Sequence, residues 1–404
     1  MNVVIINDYA YVNGGAGQVA LSSAMALAEH NVKITLFSAV GPVAPELLDK
    51  ANLRIICTNQ CDILNEPNRI KAIAQGLWNT KAAKILADTL DCLDPNDTII
   101  HVHSWTKALS SSIVPVAINK KFKVVCTLHD YFVACPNGGF FDYKNNEICR
   151  RQPLSFKCWC NNCDSRNIIQ KQWRLIRQYI QKGFGCIPSE IKHFITISDF
   201  SRNILKPYVG LEVKTYTVPN PIDVKKREPV AVDQNKSFVA VGRISKEKGP
   251  FLFGEAARQA ECAAAYIGDG VCKSELSAQY PQTTVTGWVN RQEVYSLLQK
   301  ARVLVFASLC PETQGIVVME SAAMGIPAIV PDTCGAREMV INGVTGLWFQ
   351  GGNISDLVKK MKLLQDDSMV QKMGLASYHA YWENPFTMDR HINSLLSVYE
   401  QILA

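Results

Sequence analysis

The chain has 404 residues, 48% of them hydrophobic and 19% charged, with a formal net charge of +6. That length exceeds one ordinary core, and that composition excludes a disordered chain. The mild positive excess suits phosphate-bearing ligands or an anionic surface, or is only a solvated face, and net charge alone makes no case for nucleic-acid binding.

Short apolar runs alternate with helical patterns almost throughout. Val3–Ile6 reads as a buried strand, Gln18–His30 as a helix and Val32–Phe37 as the next strand. Asp8 ends the first apolar run after a few residues, and no basic region precedes it. The start is therefore read as no signal peptide, and no segment holds the ~18 unbroken apolar residues of a membrane span, so a cytoplasmic protein is expected. Thr98–His103, Lys123–Leu128 and His193–Ile197 continue the strand series. Val218–Asp223 and the charged run that follows, with prolines at 219, 221 and 229, read as a linker. Beyond it Ser237–Val241, Ala263–Ile267, Val303–Phe306, Ala328–Val330 and Gly346–Phe349 repeat the pattern. The sequence thus predicts an α/β protein of two doubly wound, Rossmann-like domains, whose ligands bind outside the carboxyl ends of the strands. The expected boundaries are 1–220, 221–384 and a helix over 385–404 that crosses back to the first domain.

Two glycine-containing strand ends and one acidic pair carry the chemistry. Asn13-Gly14-Gly15-Ala16-Gly17 opens the first helix, where backbone amides can meet a phosphate. The stretch Gly15–Ala20 also fits a dinucleotide fingerprint, but the second strand ends Leu36-Phe37-Ser38 without the acid that would hold a ribose. Arg243 and Lys248 follow the first strand of the second domain, where two cations would stabilise a departing diphosphate. Glu312 and Glu320 bracket the start of an apolar helix. Buried carboxylates there need partners, and sugar hydroxyls or a neighbouring helix end could serve.

These residues resemble the retaining GT-B glycosyltransferases of family 4. The Glu312/Glu320 pair with the small-residue and Gly325-Ile326-Pro327 stretch carries the likeness, with Arg243…Lys248-Gly249, the Gly14-Gly15 loop, Gly268-Asp269-Gly270 and Asn342–Leu347 in the same order. The resemblance implies two domains facing across a cleft and a UDP- or GDP-linked sugar donor. Arg243 and Lys248 would hold the diphosphate, Glu320 the ribose and Glu312 the donor sugar. Backbone amides of Gln314, Gly315, Ile316 and Val317, with the Gly14-Gly15 loop, would complete donor binding. His129 would bond a sugar hydroxyl near the reacting carbon. Asp130 would orient His129 or meet the acceptor. His103 would line the acceptor side or serve only as a loop or capping residue. The implied reaction is transfer with retention to a hydroxyl of a glycan or lipid-linked acceptor in cell-surface polysaccharide synthesis, without a catalytic metal. Arg337 and Thr313-Gln314 depart from the usual pattern and leave donor identity open. A non-catalytic nucleotide-sugar-binding subunit, a sugar phosphorylase and a nucleotide-sugar epimerase are the competing readings.

Five of the 14 cysteines cluster: Cys135, Cys149, Cys158, Cys160 and Cys163. The Cys160/Cys163 spacing suits structural zinc, with Cys135 and Cys149 completing four thiolates and Cys158 able to replace Cys160; free thiols are the other reading. The insert spans about 135–165 and resembles one found in a subset of the same family. Downstream, 167–182 reads as a helix with Ile169, Trp173, Ile176 and Ile180 on one face, expected to pack on the core with a wet basic side. The alternative is that this helix rests on an anionic membrane, placing the protein peripherally on the inner face.

Overall fold

The computed structural model describes residues 1–210 and 212–404. The chain forms two compact units. The first comprises Met1–Gly138, Arg151–Pro221 and Phe386–Ala404; the second comprises Gly139–Arg150 and Ile222–Pro385.

The first unit opens with β1 (Asn2–Tyr9), α1 (Gly15–Glu29), β2 (Lys33–Val40) and β3 (Leu53–Cys57). Next come α2 (Arg69–Leu77), α3 (Thr80–Leu90), β4 (Thr98–Val102), α4 (Ile113–Asn119) and β5 (Lys123–Leu128). A short antiparallel hairpin, β6 (Phe141–Asp142) and β7 (Glu147–Ile148), is grouped with the second unit. The chain then returns as α5 (Phe156–Cys160), α6 (Ile168–Gly183), β8 (His193–Thr196), α7 (Asp199–Val209) and β9 (Lys214–Thr217). The sheet runs β3-β2-β1-β4-β5-β8-β9 and every pairing is parallel. Val3, Val4, Ile5 and Ile6 are fully buried, as required of a central strand with helices on both faces.

The second unit contains β10 (Ser237–Val241), α8 (Pro250–Ala260), β11 (Ala264–Ile267), α9 (Lys273–Gln279), β12 (Thr283–Val285) and α10 (Arg291–Leu298). It continues with β13 (Ala301–Val305), α11 (Ile316–Ala323), β14 (Ala328–Pro331), β15 (Gly346–Phe349), α12 (Ile354–Leu363) and α13 (Asp367–Glu383). Its sheet, β12-β11-β10-β13-β14-β15, is also parallel. Arg302 on β13 is 2% exposed and ties the sheet to the end of α12 by donating to the Leu364 and Gln365 carbonyls, 2.7 Å each. The last helix, α14 (Met388–Leu403), belongs to the first unit, where Ile392, Leu395 and Tyr399 share a core with Val3, Ile5 and Leu27.

Each sheet reverses its strand order once, between β1 and β4 in the first unit and between β10 and β13 in the second, with all strands still parallel. Loops diverge at such points and leave a crevice at the strands' carboxyl ends. One sequence expectation is reversed. The basic side of helix α6 is not wet: Lys171, Arg177, Gln178 and Gln181 are buried, whereas Ile169 and Ile176 of the expected core stripe are exposed and Trp173 and Ile180 are half-buried. The reason is that the buried polar side chains are needed to bond a loop that supplies many free carbonyls, as described below.

Candidate functional site

In the second unit the reversal of strand order brings the loop after β10 beside the loop after β13. Residues Lys246–Lys248 form one 3-10 turn. Gly249 ends it at φ 66°, and a Cβ there would lie 2.0 Å from the Ala307 carbonyl oxygen, so only glycine allows this approach. The Glu247 carbonyl accepts the Leu309 N–H (2.9 Å) and the Ser308 hydroxyl (3.2 Å). These bonds fix the two loops together and aim Lys248 at Glu312.

The Lys248 Nζ lies 2.6 Å from Glu312 Oε2, with the side chains 27% and 16% exposed. Burial works against the ammonium, but the adjacent Glu312 carboxylate outweighs it and holds the Lys248 pKa above its ordinary value. The other oxygen, Glu312 Oε1, is buried with no hydrogen-bond partner among the described residues. Arg243 donates to Glu247 Oε1 (2.8 Å) and to Ser245 Oγ (3.3 Å). Its side chain is 68% exposed, so much of the guanidinium faces solvent.

Helix α11 starts at Ile316, capped by Gly315 directly after this acidic loop. The first backbone amides of a helix have no intrahelical acceptor, which places those around Ile316 and Val317 at a positive helix end. Gln314 is buried. Glu320 lies one turn inside α11. It accepts the Tyr295 hydroxyl (3.0 Å) and lies 3.5 Å from Arg291. Burial raises the Glu320 pKa despite both partners. Arg291 and Tyr295 stand one turn apart on α10, whose start is fixed by an Asn290/Glu293 capping box. The sequence reading missed both. Their only signal is the i, i+4 spacing at a capped helix start. Arg337 donates to the Asp332 carbonyl (2.8 Å) and lies over the Trp348 ring.

In the first unit Gly14, at φ 86°, caps α1, with open space where a side chain would be. The loop after β4 is pinned to the end of β1 by Asp8, a residue noted in sequence only for ending an apolar run. Its buried carboxylate accepts the backbone N–H groups of Lys107, Ala108 and Leu109 at 2.9 Å each, while burial raises its pKa.

His129 follows β5. Its Nε2 lies 3.0 Å from His103 Nδ1 with the rings stacked. His103, in the loop directly after β4, is thus buried against His129. The His101 ring lies tilted against His103, centroids 4.1 Å apart, and is held by Tyr399 (2.6 Å) and Thr127 (2.7 Å). Burial lowers the pKa of His101 and of His129 to about 3, and that of His103 well below the usual histidine range, so all three are neutral near pH 7. Asp130 accepts the Phe132 N–H (2.9 Å), and burial pushes its carboxyl up to about 6.

The loop after His129 rests on the polar side of α6. Arg177 lies between the Phe132 and Trp173 rings and donates to the Thr106 and Pro136 carbonyls. Gln178 donates to the Phe132 and Val133 carbonyls, and Gln181 donates to Phe132 and accepts the Trp105 N–H.

The cysteine insert does not assemble as the sequence spacing invites. Among the described residues no group of three or more His, Cys, Asp or Glu side chains is placed to hold a metal ion. Cys160 is exposed, while Cys135, Cys158 and Cys163 are buried and Cys149 is partly buried. The Lys171 ammonium lies 3.5 Å from Cys158 Sγ, and Asn137 donates to Cys163 Sγ at 3.2 Å. The thiols of Cys135, Cys158 and Cys163 all lie within electrostatic reach of the Lys171 ammonium.

No helix among the described residues is long and apolar enough to cross a membrane. The family model described as Glycosyltransferase Family 4 matches residues 13–226, and that described as Glycosyl transferases group 1 matches residues 222–380. Alpha-D-kanosaminyltransferase of Streptomyces kanamyceticus is 27% identical over 161 residues, 36% of this chain and 41% of that protein. The UDP-Gal:alpha-D-GlcNAc-diphosphoundecaprenol alpha-1,3-galactosyltransferase of Escherichia coli is 24% identical over 187 residues, 40% of this chain and 48% of that protein. The chain thus aligns with less than half the length of either. HepE from Anabaena, solved with UDP, superposes with a TM-score of 0.69 at 15% identity, covering 99% of this chain and 100% of that chain. Sucrose-phosphate synthase from Thermosynechococcus elongatus gives 0.70 at 17% identity, covering 99% and 98%. At such identities these likenesses speak of fold alone, and that fold is GT-B. With one family model spanning more than half of its length, the chain belongs to Glycosyltransferase Family 4.

Proposed function

We propose that this protein transfers a glycosyl group, with retention, from a UDP- or GDP-linked sugar to a hydroxyl of a glycan or lipid-linked acceptor. The observation that carries the reading is the divided Glu312 carboxylate: Oε2 is spent on Lys248, while Oε1 is buried and unpartnered. A buried acceptor left unmade is costly, and a donor-sugar hydroxyl would satisfy it. Lys248 and the exposed part of Arg243 then grip the diphosphate, and the first amides of α11 add their positive end. Glu320, braced by Arg291 and Tyr295, takes the ribose.

In the reaction the bond from the anomeric carbon to the phosphate oxygen breaks, and the acceptor oxygen bonds that carbon from the same face. The acceptor proton passes to the departing phosphate oxygen. The charge growing on that phosphate is what Arg243 and Lys248 stabilise, so this reading needs no catalytic divalent cation. His129, kept neutral and held by His103, offers a ring nitrogen to the sugar without adding positive charge beside the oxocarbenium-like centre. The Gly14-Gly15 loop contributes amides. The Anabaena protein was solved with UDP and with UDP-glucose, and the Escherichia coli relative is named for a diphosphoundecaprenol substrate. The first favours a nucleotide-sugar donor and the second a lipid-linked acceptor; on this reading the protein works at the inner face of the membrane.

The test is incubation with a panel of UDP- and GDP-sugars, reading nucleotide release and the anomeric configuration of the product by proton NMR. One donor should be turned over with its configuration kept, and Glu312→Ala should abolish turnover. Turnover unchanged by that substitution, or an inverted product, would overturn the assignment.

A further inference from the structure

Helix α6 buries Leu175 and half-buries Trp173 and Ile180, yet leaves other large apolar side chains in solvent. Its polar face is committed to the loop after His129, as described above, so the apolar face has no such use. Ile169 is 74% exposed, Ile176 45% and Tyr179 46%. Helix α2 lies alongside, joined through Trp173, which packs on Gly76 so closely that a Cβ there would lie 2.6 Å from the ring. It exposes Ile70 (80%) and Ile73 (49%). Single exposed apolar residues are ordinary, but five on two adjoining helices mark an interaction face.

The charge on these elements has one sign. Helices α2, α5 and α6 contain no aspartate or glutamate, and Arg69, Lys157 and Lys182 on them are exposed. The neighbouring carboxylates of Glu66 and Asp164 are buried and paired with Lys71 and Arg174. We propose that this face of the first unit seats on an anionic phospholipid bilayer, with the α2 and α6 isoleucines in the interface and the cations on headgroup phosphates. An apolar stripe rimmed by cations alone matches that surface, since basic residues gain from an anionic headgroup layer while isoleucine side chains leave water. This deepens the reading of a lipid-linked acceptor, and rests on it for its purpose. The face that binds lipid is then the outer side of the helix whose inner side holds the His129 loop.

The test uses the full chain and vesicles of phosphatidylcholine with and without phosphatidylglycerol, read by flotation and by tryptophan fluorescence. Binding to the anionic vesicles is expected, weakening with salt. Ile169→Asp/Ile176→Asp should reduce it at least about tenfold with thermal stability and donor hydrolysis unchanged. No binding to anionic vesicles, or undiminished binding by the variant, overturns the proposal. So does a dimer or a protein complex that the same substitutions dissociate while vesicles are ignored, because a protein then covers the face. Vesicle binding without any sugar turnover would refute the proposed function and leave this surface standing.

Discussion

Replacing Lys248 by Met separates what that ammonium does for the fold from what it does for the reaction. Lys248 and Glu312 stand 2.6 Å apart and are mostly out of water. At an effective dielectric of ~20 their attraction is about 6 kcal/mol, much of it offset by the cost of removing both charges from water. Taking away one partner keeps the cost and loses the attraction, so Lys248→Met should destabilise the second unit by about 3 kcal/mol, the lower end for a broken buried pair. For a unit of this size that is a fall of about 6–12 °C in Tm. Lys248→Met/Glu312→Leu removes the stranded carboxylate as well and should regain more than half of the loss. Sugar transfer should not follow: both variants should lose about 100-fold or more in kcat, because the double variant restores no charge for the leaving phosphate. Calorimetry and a donor-turnover assay on the three proteins decide it. A single variant that melts like wild type, or a double variant no more stable than the single, would refute the electrostatic account of the pair.

Tyr295→Phe removes a hydroxyl that holds Glu320 and should raise the donor KM about fivefold, one hydrogen bond's worth, with kcat little changed. A fall in kcat alone would argue against a ribose-holding role. Asp8→Ala strips the acceptor from three backbone amides and should destabilise the first unit by about 3 kcal/mol, with hydrogen exchange of the Lys107–Leu109 amides accelerating first. Stability should also depend on pH in a stated direction. His101 and His129 hold folded pKa values of about 3 and His391 about 4, against an unfolded value near 6.5, so the unfolded chain binds more protons between those limits. The first unit should keep its stability above about pH 6.5 and lose it as pH falls below, at about 1.4 kcal/mol per pH unit for each histidine. A flat profile from pH 7 to 5 in urea titrations would contradict the burial of these rings.

Much of this architecture is legible from residue patterns, and the parts that are not share physical causes. Central strands such as Val3–Ile6 and Lys123–Leu128 announce themselves because burial on both faces demands an unbroken apolar run. The edge strands β9 and β12 do not, because an edge needs no such run: β9 is Lys-Thr-Tyr-Thr, and β12 is Thr-Thr-Val. In the site, the residues at strand ends could be anticipated from the fold rule for switch points. The partners of Glu320 could not, because Arg291 and Tyr295 arrive from another helix through tertiary packing. Helix α6 shows the limit of periodicity: the apolar stripe is real, but which way it faces depended on the open carbonyls of the Phe132–Pro136 loop, which no helical pattern records. The cysteine spacing likewise says nothing of Lys171, which packs among those thiols from a neighbouring helix.

The most direct test of the central claim is calorimetric titration of UDP and of GDP into the wild-type protein and into Lys248→Met, with chelator present. The account predicts that one nucleoside diphosphate binds the wild-type chain at one site, and that the variant binds it at least about tenfold more weakly, the loss of one charge-assisted phosphate contact. Equal affinity for wild type and variant, or no binding of either nucleotide, would contradict it.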